Sequence, residues 1–473
     1  MEGHPQPEGK RLLVLGAGAA QLGLLEAARA QGLYVIAVDR NPAAPGFRHA
    51  DRRAIVSNED EPAIGRLAEA ERVDGIVAPG IDFPVAIAAR VAARLGLRHP
   101  ISPETALLAT SKMRQRERFA ASGVPAARYR ACSSQAEAEE AAEAFGYPCV
   151  VKAPDRQGQK GLAVVPARDE LAAAFAAALE AARASFVLVE ELVEGREVTV
   201  NGFSAGGRFQ PLTVTDRLVA DPPAFGVALA HAWPTAEPAG AAVEVARAAA
   251  AALGIEDGPT YTQVLVGPGG ARVGELAARL GGGHDAELCQ AALGVDLNGL
   301  ALAAALGEEI DPAAFEPTPQ AGGACVRFIV APAGQLRAVE GVEEAGASPG
   351  VRRVRIYRDA GSVLEPLRRG ADRAGAVLAV GDSRDDALDR AARAIGLVRF
   401  VTADAEAQGG LGGTESMPPE RAGGRAAVSS VAPIRARIDA GGWANVSAEG
   451  CSLPLASRPP ARPCDERRSA NHS

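Results

Sequence analysis

Cysteine is scarce in this chain and unorganised. Six occur in 473 residues, at 132, 149, 289, 325, 451 and 464, and none forms a Cys-x-x-Cys. That spacing suggests neither a structural zinc site nor a disulfide framework. Free thiols fit a reducing cytosol. Aromatic residues make up 4% of the chain, and the net charge of −8 is spread rather than clustered. With no basic face carrying interleaved aromatics, a nucleic-acid partner is not expected. No uncharged apolar stretch reaches the ~18 residues of a membrane span. The alanine-rich segments carry Glu and Arg and read as soluble helices. The first residues, MEGHPQPEGKR, are polar and lack the apolar core of a signal peptide. The expectation is a cytoplasmic protein with no membrane partner.

Against these absences stands a hydrophobic content of 47%, ample for a large core, and a length that allows two to four domains. Leu12–Leu15 reads as a short buried strand, Gly16-Ala17-Gly18 as a turn into a helix, and Tyr34–Val38 as a second strand ending at Asp39. Strand candidates at 54–56 and 75–78 with helices between them predict a parallel, doubly wound sheet. A new unit begins at Ser111-Lys112. Cys149–Lys152 and Leu162–Val165 look like a hairpin around the loop Asp155-Arg156-Gln157-Gly158-Gln159-Lys160-Gly161. Ser133 and Ser134 can cap the helix that precedes it. Runs at 186–189, 198–203, 211–215, 262–266 and 272–276 continue as an antiparallel sheet. From Ala324 the segments 325–331, 350–357 and 376–380 read as strands of a smaller sheet. Beyond about Asp404 periodicity stops in a stretch rich in Gly, Pro, Ser and Arg, the composition of a disordered tail.

The chemistry-bearing residues fall between 112 and 279. Lys152 ends a strand just before a loop with two glycines. Phosphate oxygens need backbone N–H groups at close range, which glycine permits, and a neighbouring lysine adds a point charge. The bland alternative is a surface hairpin with an ordinary lysine. Gln263 and Glu275, 12 residues apart around Gly-Pro-Gly-Gly, would face the same way on adjacent strands. Two oxygen ligands with nucleotide phosphates suit Mg²⁺ or Mn²⁺. Glu190-Glu191-Leu192-Val193 closes a buried run, Glu197 follows, and Arg279 stands before Leu280-Gly281-Gly282-Gly283-His284.

In this order the set resembles the ATP-grasp superfamily, over roughly residues 11–400. The resemblance implies an α/β and α+β architecture. A flexible start (1–10) would precede a Rossmann-like pre-ATP-grasp domain (11–110), and split ATP-grasp subdomains would fill 111–318. A small C-terminal α/β domain (319–404) and a tail (405–473) would follow. It implies ATP and Mg²⁺ as cofactors, with Lys112, Lys152, Gln157, Gly158 and Gly161 on the phosphates. Glu190, Glu191, Leu192 and Val193 would serve as the adenine hinge, and Glu197 would accept from ribose hydroxyls. Gln263 and Glu275 would hold the metal, with Arg279 and Lys152 as the catalytic cations. The family usually has Glu at the first metal position and Asn two residues after the second; here these are Gln263 and Ala277. For Arg279 the alternative is an ion pair with Glu275, and for the acidic hinge a solvated turn, as Glu194 is read. Arg217, His231, Gly282, His284 and Arg327 are the acceptor-substrate candidates, although a lone histidine is more often structural.

The implied activity is a carboxylate–amine ligase acting through an acyl phosphate, with small carboxylic acids and amines as partners and a homodimer common among relatives. The group resembles the purine-pathway ligases and the L-amino-acid ligases. Alternatives are carboxyphosphate chemistry of the carbamoyl-phosphate synthase and biotin carboxylase kind, or a non-catalytic ATP-binding module. A competing signal, Gly16-Ala17-Gly18-Ala19-Ala20-Gln21 with Asp39 at the next strand end, approaches a dinucleotide fingerprint but lacks its third glycine. It leaves an NAD-dependent oxidoreductase as the reading from another class.

Overall fold

The structure, a computed structural model, describes residues 9–156, 161–221, 224 and 226–403. Gln157 and Gly158, most of the N-terminal segment and the whole of the expected tail lie outside the described residues.

The first sheet is parallel. Its order is Arg52–Ala54, Tyr34–Val38, Arg11–Leu15, Gly75–Val77. Along Arg11–Leu15 successive side chains point to opposite faces, yet Leu12, Leu13, Val14 and Leu15 are all fully buried. Both faces are therefore covered, as in a doubly wound sheet. Leu12 and Val14 pack with Leu24, Leu25 and Ala28 of the helix Leu22–Ala30. Leu13 and Leu15 pack with Ile64, Ile87 and Val91 from the helices Glu61–Glu71 and Phe83–Leu95 on the other side.

A second, four-stranded antiparallel sheet is ordered Tyr129–Cys132, Val187–Glu191, Cys149–Lys152, Leu162–Val165. The predicted hairpin is there, with Lys152 opposite Leu162. The helices Gln135–Phe145 and Arg168–Ala181 cover one face, burying Cys149 and Val151. Alternation leaves Val150 and Lys152 on the other. Ser134 caps the first of these helices, accepting from the Glu137 amide.

The large sheet has eight strands among the described residues, ordered Gly270–Ala277, Gly258–Gly267, Arg196–Ala205, Arg208–Val219, Ala228–Trp233, Gly323–Ile329, Gly375–Gly381, Val351–Ile356. Every neighbouring pair is antiparallel. This corrects one expectation. The strands after Ala324 do not make a smaller sheet of their own. Gly323–Ile329 pairs with Ala228–Trp233, which matches Ala230 with Arg327 and His231 with Val326. An edge strand presents unpaired N–H and C=O groups, and here the later strands satisfy them. A three-stranded sheet, Val363–Leu364, Gly334–Glu340 and Arg399–Thr402, stands apart. Among the described residues no helix is long and apolar enough to cross a membrane.

Candidate active site

A cavity of about 370 Å³ opens where the three larger sheets meet. It is lined by Lys112, Lys152, Arg156, Glu197, Arg217, Gln263, Glu275 and Arg279, with Asp82, Tyr261, Ala277 and Arg373 among the rest. Seven of the residues singled out in the sequence come together here from positions spread over nearly 170 residues.

Local structure explains how each arrives. The strand Gly258–Gly267 alternates buried and half-buried residues without a break, which puts Tyr261 and Gln263 on the cavity face. Gln263 lies directly opposite Glu275 in the register of the hairpin. The helix Lys112–Ala121 is capped by Ser111, which accepts from the Arg114 amide. Gln115 then stitches that helix to the hairpin. Its amide nitrogen donates to the Leu276 carbonyl at 2.8 Å and its oxygen accepts from the Leu276 N–H at 3.1 Å. Gln115 is 1% exposed, so these bonds are shielded from water. They set the first turn of the helix beside Glu275, and Lys112 Nζ lies 3.3 Å from Glu275 Oε1. Lys112 also donates to the Arg156 carbonyl at 2.9 Å, at the entrance to the glycine loop.

Charge balance follows. Burial pushes the Glu275 carboxyl up, but Lys112 and Lys152 outweigh it and hold the group below its ordinary range. Glu275 is thus an anion ready for a cation. Arg217 pairs with Glu197 at 3.0 Å and donates to the Gly226 carbonyl. Arg279 does not pair with Glu275. Its Nε donates to Asp82 Oδ1 at 2.6 Å, and its guanidinium carbon stands 5.4 Å from the Tyr261 ring centre. The bland ion-pair reading named the wrong carboxylate, because Asp82 lies 197 residues away in the chain.

Several sequence candidates sit elsewhere. Glu190 is 4% exposed and lies behind Lys152, bound to it and to Arg116. Glu191 accepts from the Arg128 amide and pairs with Arg272 at 3.0 Å. Neither carboxylate is free for an exocyclic amine, and Leu192 and Val193 do not line the cavity. Gly161 turns with φ +69 and accepts from the Ala153 N–H at the far end of the loop. Arg327 is exposed on the opposite face of its strand. His284 bonds Glu287 and Tyr357, so it ties elements together rather than facing substrate. Nor does the glycine run leave its backbone open. A side chain at Gly282 would meet the Gly80 carbonyl at 3.0 Å, and one at Gly283 would meet His231 Nε2 at 2.6 Å. The run permits close packing of that wall.

His231 is 2% exposed, and burial pulls its imidazole down to about 4 against the opposing pull of Asp285. At 3.5 Å the two face each other as neutral ring and carboxylate, each with an unbonded polar atom. Carrying a histidine from 6.5 to about 4 corresponds to about 3 kcal/mol. The folded state resists the proton that the unfolded chain accepts. Stability is therefore full above pH 6.5 and falls as pH drops toward 4. We expect the melting temperature to decline between pH 6.5 and 5 and the His231→Phe variant to lose most of that slope. An unchanged slope would place the titration elsewhere.

Sequence reasoning missed Asp82, Arg116, Tyr261 and Arg373. Tyr261 could have been found by counting two residues back from Gln263 along the same strand, where side chains return to one face. Arg373 comes from the last third of the chain. Its guanidinium carbon lies 3.7 Å from the Phe328 ring centre, its Nε is buried without a partner, and it has no carboxylate partner among the described residues.

For a divalent cation the donor set is thin but coherent. Among the described residues no three His, Cys, Asp or Glu cluster as a metal site. Gln263 and Glu275 offer two oxygens on one face. Mg²⁺ commonly takes one or two protein oxygens and fills its shell with water and phosphate. Ala277 adds no oxygen. The glycine turn after the first strand does not suit a dinucleotide. Gly16 turns with φ +115, and the Gln21 side chain packs into that turn while donating to the Pro79 carbonyl at 2.7 Å. Asp39 accepts from the Ala17 N–H within the same turn.

Residues 110–217 match the family model of the phosphoribosylglycinamide synthetase ATP-grasp (A) domain, and 327–403 that of L-amino acid ligase C-terminal domain 2. The formate-dependent phosphoribosylglycinamide formyltransferase of Burkholderia lata is 30% identical over 417 residues, covering 84% of this chain and 97% of that protein. The chain belongs to the ATP-grasp ligase family. An uncharacterized protein of Sinorhizobium fredii is 30% identical over 380 residues, 77% of each chain. The L-amino acid ligase of Bacillus licheniformis shares the fold, with a TM-score of 0.71 and 21% identity over 83% of this chain and 99% of that one. As an ATP-grasp ligase the protein is an ATP-dependent, ADP-forming enzyme of C–N bond formation, and its family uses ATP with Mg²⁺.

Proposed function

We propose that this ATP-grasp ligase activates a small carboxylic acid as its acyl phosphate and passes the acyl group to an amine. The carrying observation is the register of Gln263 opposite Glu275 inside a cavity ringed by Lys112, Lys152 and Arg279. Lys112 and Lys152 bind phosphate oxygens. Gln263 and Glu275 would hold the divalent cation, which would supply positive charge to offset that of the phosphates. An oxygen of the substrate carboxylate attacks the γ-phosphorus and ADP leaves. Arg279 sits where it can neutralise the transferring phosphoryl group and then the oxyanion of the acyl phosphate. The amine attacks the acyl carbon, the C–O bond breaks with its electron pair on the departing inorganic phosphate, and the proton lost by the nitrogen leaves with that phosphate or with water. Lys152, Arg279 and the enclosing walls limit access of water, which would otherwise hydrolyse the mixed anhydride.

Arg373 favours an acid with a second anionic group. A buried guanidinium without a carboxylate partner accepts a bidentate anion at little further desolvation cost. It lies in the segment that matches an L-amino acid ligase domain, which points to amino-acid-like substrates.

The test is phosphate release from MgATP with pairs of amino acids, other carboxylic acids and amines, together with formate and bicarbonate. Release that needs both an acid and an amine is the expected result. Release with bicarbonate alone would replace this reading with carboxyphosphate chemistry. Bound ATP with no release from any pair would favour a binding module.

A further inference from the structure

At the back wall of the cavity, three charged side chains are packed together with little exposure to water. Arg116 Nε lies 2.9 Å from Glu190 Oε1, and Lys152 Nζ lies 2.7 Å from Glu190 Oε2. Side-chain exposure is 3% for Arg116, 6% for Glu190 and 12% for Lys152. Only the lysine reaches the cavity lining. One carboxylate is thus shared between a cation that faces the site and a cation that does not.

Such an arrangement is costly unless it serves something. Removing charges from water costs several kcal/mol each, and a buried triad often contributes little net stability. A neutral core residue at 116 would fill the space without a third charge. Arg116 instead competes with Lys152 for Glu190.

We propose that Glu190 and Arg116 are positioning residues for Lys152: Glu190 fixes the ammonium at the cavity wall, and Arg116 limits how much of Glu190's charge the lysine receives. This rests on the reading of Lys152 as a phosphate ligand. A lysine fully neutralised by its own carboxylate offers little field to a phosphate. With Glu190 divided, Lys152 keeps charge to offer a ligand from that fixed position.

The groups facing Lys152 set its protonation. From the helix Lys112–Ala121 come Arg116 and Lys112. The strand Val187–Glu191 brings Glu190, and the hairpin brings Glu275, itself held as an anion by Lys112 and Lys152. Its partner across the glycine-loop hairpin, Leu162, carries no charge. Burial, then Arg116, pull the Lys152 ammonium down to about 8, while Glu190 opposes them. Glu190 stays ionised because Lys152 and Arg116 outweigh its own burial. The ammonium is therefore present below about pH 8 and is lost above it.

The experiment is the affinity of the full-length protein for MgATP, by calorimetry, from neutral pH to about pH 10. The unaltered protein should lose about tenfold in affinity as pH rises through the lysine's titration, the loss of one charge-assisted contact. Arg116→Met removes the competing cation and should move that limb upward by about one pH unit. Glu190→Gln removes the anion and should move it downward by a similar amount. Glu191→Gln, whose carboxylate meets Arg128 and Arg272 instead, should move it not at all. Should Glu190→Gln fail to fold, the upward shift in Arg116→Met carries the test alone, since it leaves one lysine with one carboxylate. A limb at the same pH in Arg116→Met, or no limb in the unaltered protein, overturns the inference while ATP binding stands. No ATP binding at any pH would overturn the phosphate reading and this inference with it.

Discussion

Glu275→Ala should lower phosphate release from MgATP by on the order of a thousandfold, and Lys152→Ala should do the same. Glu275 is the one carboxylate opposite Gln263, and it is held ionised by Lys112 and Lys152. Without it the divalent cation proposed there would have a single protein oxygen, and Lys112 would lose the carboxylate 3.3 Å from its ammonium. Lys152→Ala removes the cation at the strand end that precedes the glycine loop. Both variants should keep their fold, for different reasons. The Glu275 side chain is 30% exposed at the cavity, so its loss leaves no void in the core. Loss of Lys152 leaves Glu190 still paired with Arg116 at 2.9 Å. Circular dichroism checks the fold and phosphate release checks the chemistry. Near-normal turnover in either variant with a native spectrum would move the site elsewhere.

Arg279→Ala should lower kcat by about a hundredfold or more, with ATP affinity changed far less. An interaction made mainly with the transferring group appears in kcat rather than in ground-state binding. The variant also strands Asp82, whose partner at 2.6 Å is gone. Asp82 borders the cavity and can be partly hydrated, so the stability loss should be about 1–2 kcal/mol, below the cost of orphaning a fully buried charge. Asp82→Asn separates the two effects. It releases Arg279 without removing it, so stability should fall while kcat falls much less. Equal losses of kcat in both variants would mean that Arg279 serves only as a structural partner of Asp82.

The site was legible where chemistry followed local pattern. Lys152 could be placed because an apolar run, Cys149-Val150-Val151, ends at it and a glycine loop begins. Gln263 and Glu275 could be paired because a tight turn between two strands sets their register, and side chains directly across an antiparallel pair share a face. Glu190 and Glu191 were correctly placed at a strand end, and the structure pairs both carboxylates with cations the sequence did not indicate. A strand end reveals direction and burial, not which distant cation occupies a carboxylate. Arg116 and Arg272 were those cations, and neither is close to the hinge in sequence.

The sequence by itself determined the parallel first sheet, the hairpin around the glycine loop and the order of the lysines, amide, acid and arginine that identify the family. These rest on periodicity, turn residues and spacing, which act over a few residues at a time. Only the tertiary structure decided that the last strands extend the large sheet, that Gln115 fixes Lys112 beside Glu275, that Arg279 leans on Asp82, and that Arg373 enters the cavity from the C-terminal segment. Each depends on which charges and edges are left unsatisfied once the local elements have formed. Burial then forces those groups together across gaps of many tens of residues, because a charge or a backbone donor without a partner costs more in the interior than the chain entropy of bringing one to it.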